Sequence, residues 1–137
     1  MKKFTLYFVL LLSTSFAVNS YASSPSYKVV SKCFFIYAPI TETGRDMNIQ
    51  SIFSYGQKRM SWIGGYIKAN EKNSSFTKVF EDNIATNKKY AIILENKLRK
   101  SIKEKNAAEF NTIMSYSIGC DRTLGIKSTD VPKIPKL

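Results

Sequence analysis

The sequence predicts an all-α fold, a small four-helix bundle with one disulfide joining the first and last helices. Three observations predict it. Apolar residues recur at three- and four-residue steps in four separate segments. No segment shows the two-residue alternation of a half-buried strand. The two cysteines, Cys33 and Cys120, lie on the apolar stripes of the first and last of those segments.

The first helix is expected from about Ser26 to Ala38, with Val30, Cys33, Phe34 and Tyr37 on one face. Pro39 is expected to stop it, because its ring removes a backbone donor and clashes with the preceding turn. The second helix runs from about Asp46, read as its N-cap, to Lys68. Ile49, Phe53, Gly56, Met60, Ile63 and Ile67 form its seam. Gly56 on that seam allows a neighbouring helix to come close, while Gly64-Gly65 weakens the last turn by about 1 kcal/mol per glycine relative to alanine.

Asn70 to Ser75 reads as a loop, after which Ser74 or Ser75 caps a third helix reaching about Lys105. Phe76, Phe80, Ile84, Ala91, Leu94, Leu98 and Ile102 mark its inner face. A break within the polar stretch Asn83 to Lys89 would make the bundle five-helical. The fourth helix begins near Asn106, carries Phe110, Ile113, Ser117, Cys120 and Leu124 on one stripe, and ends at Gly125. Residues 128–137, with two prolines, are expected to form a tail that is extended or loosely held.

The N-terminus adds a compartment. MKK, then FTLYFVLLL, then Ser20-Tyr21-Ala22 is the order of a positive region, a short apolar region and a small-residue cleavage site. Residues 1–22 therefore read as a secretory signal peptide, cleaved near Ala22, and residues 23–127 as a single helical domain in the periplasm or outside the cell. In such an oxidising setting an even pair of cysteines pairs most simply as Cys33–Cys120. The mature chain keeps 19 Lys and Arg against 10 Asp and Glu. That balance favours attraction to anionic surfaces without naming one.

Much chemistry is excluded. The chain has no histidine, which removes the usual general base, the usual zinc ligand and every Ser-His or Cys-His nucleophile pair. The cysteine spacing forbids a Cys-x-x-Cys motif, and no glycine-rich phosphate loop occurs. Glu81, Asp82, Glu95, Glu104 and Glu109 lie mostly beside lysines on faces that read as solvated. No enzyme activity, metal or cofactor is expected, and export argues against nucleic acid as a partner.

Two groups remain as candidate surfaces. Tyr55, Arg59, Trp62 and Tyr66 form a second stripe on the second helix, roughly 100° from its seam. Exposed, such aromatics with Arg dominate protein interfaces; buried, they simply widen the core face. Lys97, Arg99, Lys100, Lys103 and Lys105 could meet an anionic surface, although a helix C-terminus favours cations on its own account.

The layout of an exported single helical domain, with YKVVSKC in the first helix and GCD in the last, resembles small periplasmic immunity proteins that neutralise type VI secretion amidase effectors. The resemblance implies a disulfide-linked helical inhibitor, dimeric, that blocks a peptidoglycan-cutting partner without chemistry of its own. The expected function is thus a non-enzymatic protein binder, an inhibitor or immunity factor against a toxin or envelope enzyme, using the Tyr55, Arg59, Trp62, Tyr66 stripe. The alternative is a cationic envelope protein contacting anionic lipid, lipopolysaccharide or peptidoglycan through Lys97 to Lys105.

Overall fold

A computed structural model describes residues 25–135; the signal-peptide reading falls outside these residues. Four helices follow one another: α1 (Tyr27–Asp46), α2 (Gln50–Asn70), α3 (Ser74–Lys103) and α4 (Ala107–Leu124). No strand occurs among the described residues, and no described helix is long and apolar enough to cross a membrane. The all-α bundle is as expected.

The largest departure is at Pro39. α1 does not stop at Ala38 but continues through the proline to Asp46. Pro39 forfeits the bond that its amide would give to the carbonyl of Phe35, at a cost of about 3 kcal/mol. The extra turns offset this by burying Ile40, Thr41, Thr43 and Gly44. Thr41 Oγ1 also donates to the Tyr37 carbonyl at 2.9 Å. Tertiary burial here outweighs a local breaker.

Asp46 is therefore the last residue of α1 and not the cap of α2. The connection is a Schellman turn: Asn48 takes a left-handed φ of 56°, Ile49 N–H donates to Gly44 O at 2.7 Å, and Asn48 N–H to Arg45 O. The α3–α4 connection repeats it with Lys105 at φ 53° and Asn106 N–H on Ser101 O. Gly125, at φ 72°, ends α4 in the same way, as expected. Asn73, one residue before the expected serines, caps α3 by accepting from Ser75 N and Phe76 N.

α1 is the shared partner of the other three helices. Against α2 it comes so close that a Cβ on Gly44 would lie 2.3 Å from the Phe53 amide nitrogen, and one on Gly56 would lie 2.9 Å from Thr41 Cα. Gly56 thus has the expected role, and Gly44 is its counterpart on α1. α2 passes through Gly64-Gly65 to Asn70. At the other end Tyr27, Tyr66, Phe76 and Phe80 meet edge-on or tilted, joined by Phe34 and Phe35.

α3 is unbroken through Asn83 to Lys89. Its expected inner face is buried at Phe76, Ala91, Leu94, Leu98 and Ile102, but Ile84 is exposed. The reason is length. At 1.5 Å per residue, the 18 residues of α4 cover roughly 27 Å of a 30-residue α3 roughly 45 Å long, so the N-terminal part of α3, Ile84 included, lies beyond α4. Cys33 and Cys120 are bonded and buried, with Cα atoms 5.6 Å apart, and pin α1 to α4. The segment after α4 is extended but not loosely held: Pro132 is buried, and Val131 and Ile134 pack on the core.

Candidate functional site

The stripe Tyr55, Arg59, Trp62, Tyr66 stands at one-turn steps on α2. Three of its members point inward: Tyr55 is 1 %, Arg59 2 % and Tyr66 4 % exposed. They form no free surface, and only Trp62, stacked on Tyr66 with ring centroids 5.7 Å apart, reaches the edge. The stripe widens the core face and carries something that the seam does not, a buried charge.

That charge is met by Asp121 of α4, itself fully buried. Arg59 Nη2 donates to Asp121 Oδ2 at 2.7 Å, and Nε reaches Oδ1 at 3.0 Å. Tyr37 of α1 donates to Asp121 Oδ1 at 2.7 Å, and Ser128, beyond α4, to Oδ2 at 2.8 Å. Tyr55 shares a hydrogen bond with Ser117 at 2.8 Å, and the Arg59 guanidinium lies 3.6 Å over the Tyr55 ring. Asp130 closes the cluster, accepting from Arg59 Nη1 at 3.0 Å and lying 2.8 Å from Nη2. With Nη1 also on the Tyr55 carbonyl, the five N–H donors of Arg59 are accounted for.

The electrostatics follow from this geometry. Burial first, and then the hydrogen bond to Asp121, push the Tyr37 hydroxyl far above its ordinary range. Burial pushes Tyr55 up to about 12. For Arg59, burial works against the charge, yet Asp121 and Asp130 outweigh it and hold its pKa above the usual value. Neither tyrosine can serve as a base near neutral pH. The cluster is a closed polar knot tying α1, α2, α4 and the following segment together.

Asp130 is its partly exposed acid. The Arg59 hydrogen bond, helped by Lys58 and opposed by desolvation, lowers its carboxyl to about 2. A depressed carboxylate stabilises the fold above its unfolded pKa, and that contribution fades as pH falls through the folded value. Stability is therefore expected to drop from about pH 4 to about pH 2, with Asp130→Asn flattening this part of an acid-unfolding profile.

Between α2 and the segment after α4 lies a groove of about 260 Å³, lined by Lys58, Arg59, Trp62, Lys127 and Asp130 among others. Lys58 bonds Asp130 at 3.1 Å. The ammonium of Lys127 has no ion pair among the described residues.

Within the expected basic cluster, Arg99 is committed to other parts of the chain. Arg99 turns back to pair with Glu95 and, across to the end of α1, with Asp46 at 2.8 Å. Lys105 forms the left-handed turn. Lys97, Lys100 and Lys103 stay exposed, and Lys97 and Lys100 follow Tyr90 and Ile93 along one side of α3 at helical spacing. Tyr116 of α4 lies close enough to Tyr90 to reinforce the rise that burial gives the Tyr90 hydroxyl. Ile84, Tyr90, Ile92, Ile93 and Tyr116 are the large apolar side chains exposed among the described residues. All five are on α3 and α4.

The sequence reading missed the roles of Asp121, Ser128 and Asp130. A signal for Asp121 existed: it sits next to the core residue Cys120 and one turn after Ser117, within the buried arc of α4. No described group of three or more His, Cys, Asp or Glu is placed to hold a metal. No protein-family model, curated protein or solved structure matches the chain.

Proposed function

We propose that this chain is a non-enzymatic exported protein that binds another protein, as an inhibitor or immunity factor against an envelope-targeting toxin. The observation that carries this reading is the concentration of exposed large apolar side chains on α3 and α4, with Tyr90, Ile93 and Tyr116 beside Lys97 and Lys100. An apolar centre with a charged rim is how many protein interfaces are built, and a monomer has no folding reason to leave it bare. A non-enzymatic role is supported by the cluster at Asp121, whose buried Arg59, Asp121, Tyr37 and Tyr55 are spent on one another. The buried disulfide suits an oxidising compartment.

The surface to test therefore moves from α2 to α3 and α4. Affinity capture with the exported protein, wild type against Ile93→Asp and Tyr116→Asp, tests it. A discrete protein partner held by wild type at about 0.5 M salt and lost by both variants is expected, because a desolvated apolar centre resists screening. The second reading, a cationic protein on anionic lipid, lipopolysaccharide or peptidoglycan, is favoured by the exposed Lys97, Lys100 and Lys103. It would be recognised by retention that vanishes at that salt and ignores both substitutions.

A further inference from the structure

The groove beside Trp62 lies apart from the α3 and α4 surface, and its charges do not balance. Arg59 faces two carboxylates, Asp121 buried and Asp130 half-buried. Lys58 and Lys127 add two positive charges at the same groove. Among the described residues the cluster formally keeps one excess positive charge.

We infer that this groove is a recognition site for one carboxylate, that of an acidic side chain on a peptide segment of a binding partner. Four observations carry the inference. The cations at the groove already hold one carboxylate, that of Asp130, with Lys58 Nζ at 3.1 Å and Arg59 Nη1 at 3.0 Å. A second carboxylate brings the count to zero and needs no movement of Asp130, because toward the described residues Lys58 has spent one of its three N–H donors and Lys127 none. The Trp62 ring, backed by Tyr66, and Ile126 give the groove apolar walls. Finally, about 260 Å³ is below the range of roughly 300–1,000 Å³ of small-molecule pockets, so it suits an inserted side chain with its immediate neighbours.

The chemistry favours an ionised oxygen pair over a neutral amide. Lys58 and Lys127 offer charge-assisted donors, about twice as strong to a carboxylate as a neutral hydrogen bond. Arg59 is not available to the ligand, its donors being committed to Asp121, Asp130 and the Tyr55 carbonyl. Its part is to fix Asp130 and hence the position of Lys58.

The test needs no knowledge of the natural partner, so its failure is separate from failure of the protein-binding proposal. Trp62 is the only tryptophan in the chain, and its fluorescence reports the groove directly. The probes are the peptides acetyl-Leu-Glu-Leu-amide and acetyl-Leu-Gln-Leu-amide and, as a bare carboxylate, acetate, titrated at low salt. The glutamate peptide is expected to give a saturable change with a dissociation constant in the millimolar range. The glutamine peptide should bind about ten-fold more weakly for loss of the charge-assisted bond, and acetate more weakly than the glutamate peptide for want of apolar contact with Trp62. Lys127→Gln, at an exposed position with no ion pair to lose among the described residues, should weaken the glutamate peptide by a similar factor. Equal responses to the two peptides, or a Lys127→Gln variant that binds like wild type, overturn the carboxylate assignment. Acetate binding as tightly as the glutamate peptide overturns the assignment to a peptide segment.

Discussion

Asp121→Ala is expected to destabilise the fold by about 3–5 kcal/mol, the range for removing one partner of a buried ion pair. The loss is large because of what stays behind. Arg59 remains 2 % exposed with its charge half-neutralised, and Tyr37 keeps a hydroxyl whose acceptor, 2.7 Å away, is gone. A domain of this size has a total stability of about 5–15 kcal/mol, so this one change takes a large share of it. Equilibrium urea denaturation measures it. Arg59→Met combined with Asp121→Leu should recover much of the loss, since an apolar replacement of both partners removes the stranded charge. A single-variant loss below about 1 kcal/mol would show that water reaches the pair and that the knot is not sealed.

Breaking the disulfide is the second large effect. Cys33 and Cys120 are 87 positions apart, and closing a loop of that length stabilises the fold by about 4–5 kcal/mol through the entropy taken from the unfolded chain. Cys33→Ser with Cys120→Ser is expected to lower the urea midpoint accordingly, and reductant should do the same to the wild type but leave the double variant unchanged. Reductant that leaves the wild-type midpoint in place would mean that the bridge adds nothing to α1–α4 packing. The two effects share a site: Asp121 follows Cys120 directly, so the bridge that holds α4 on α1 also presents the carboxylate to Tyr37 and Arg59.

Periodicity made the four helices and their stripes legible. Val30, Cys33, Phe34 and Tyr37 face inward as their spacing requires, as do Phe110, Ile113, Ser117, Cys120 and Leu124. The errors lie where local signals compete with packing that a sequence does not display. Pro39 is a breaker in isolation, yet burial beyond it carries α1 onward. Asn48 and Lys105 hold left-handed turns without the glycine that usually marks them. Ile84 has the right phase, but it lies beyond the reach of α4. The α2 stripe posed a choice between surface and core that helical phase alone leaves open. Arg59 held the clue, since a buried guanidinium needs an acid, but that acid lies 62 positions further along the chain.

Ser117, Cys120, Asp121, Ser128 and Asp130 all come after residue 116, while the groups they satisfy, Cys33, Tyr37, Tyr55 and Arg59, come before residue 60. Until the last part of the chain arrives, α1 and α2 have a thiol, two hydroxyls and a guanidinium that they cannot bury without loss. The sealed interior of α1 and α2 is therefore completed only when the residues beyond 116 dock, a step that joins parts of the chain far apart in sequence. Contacts of such long range make that step slow relative to helix formation.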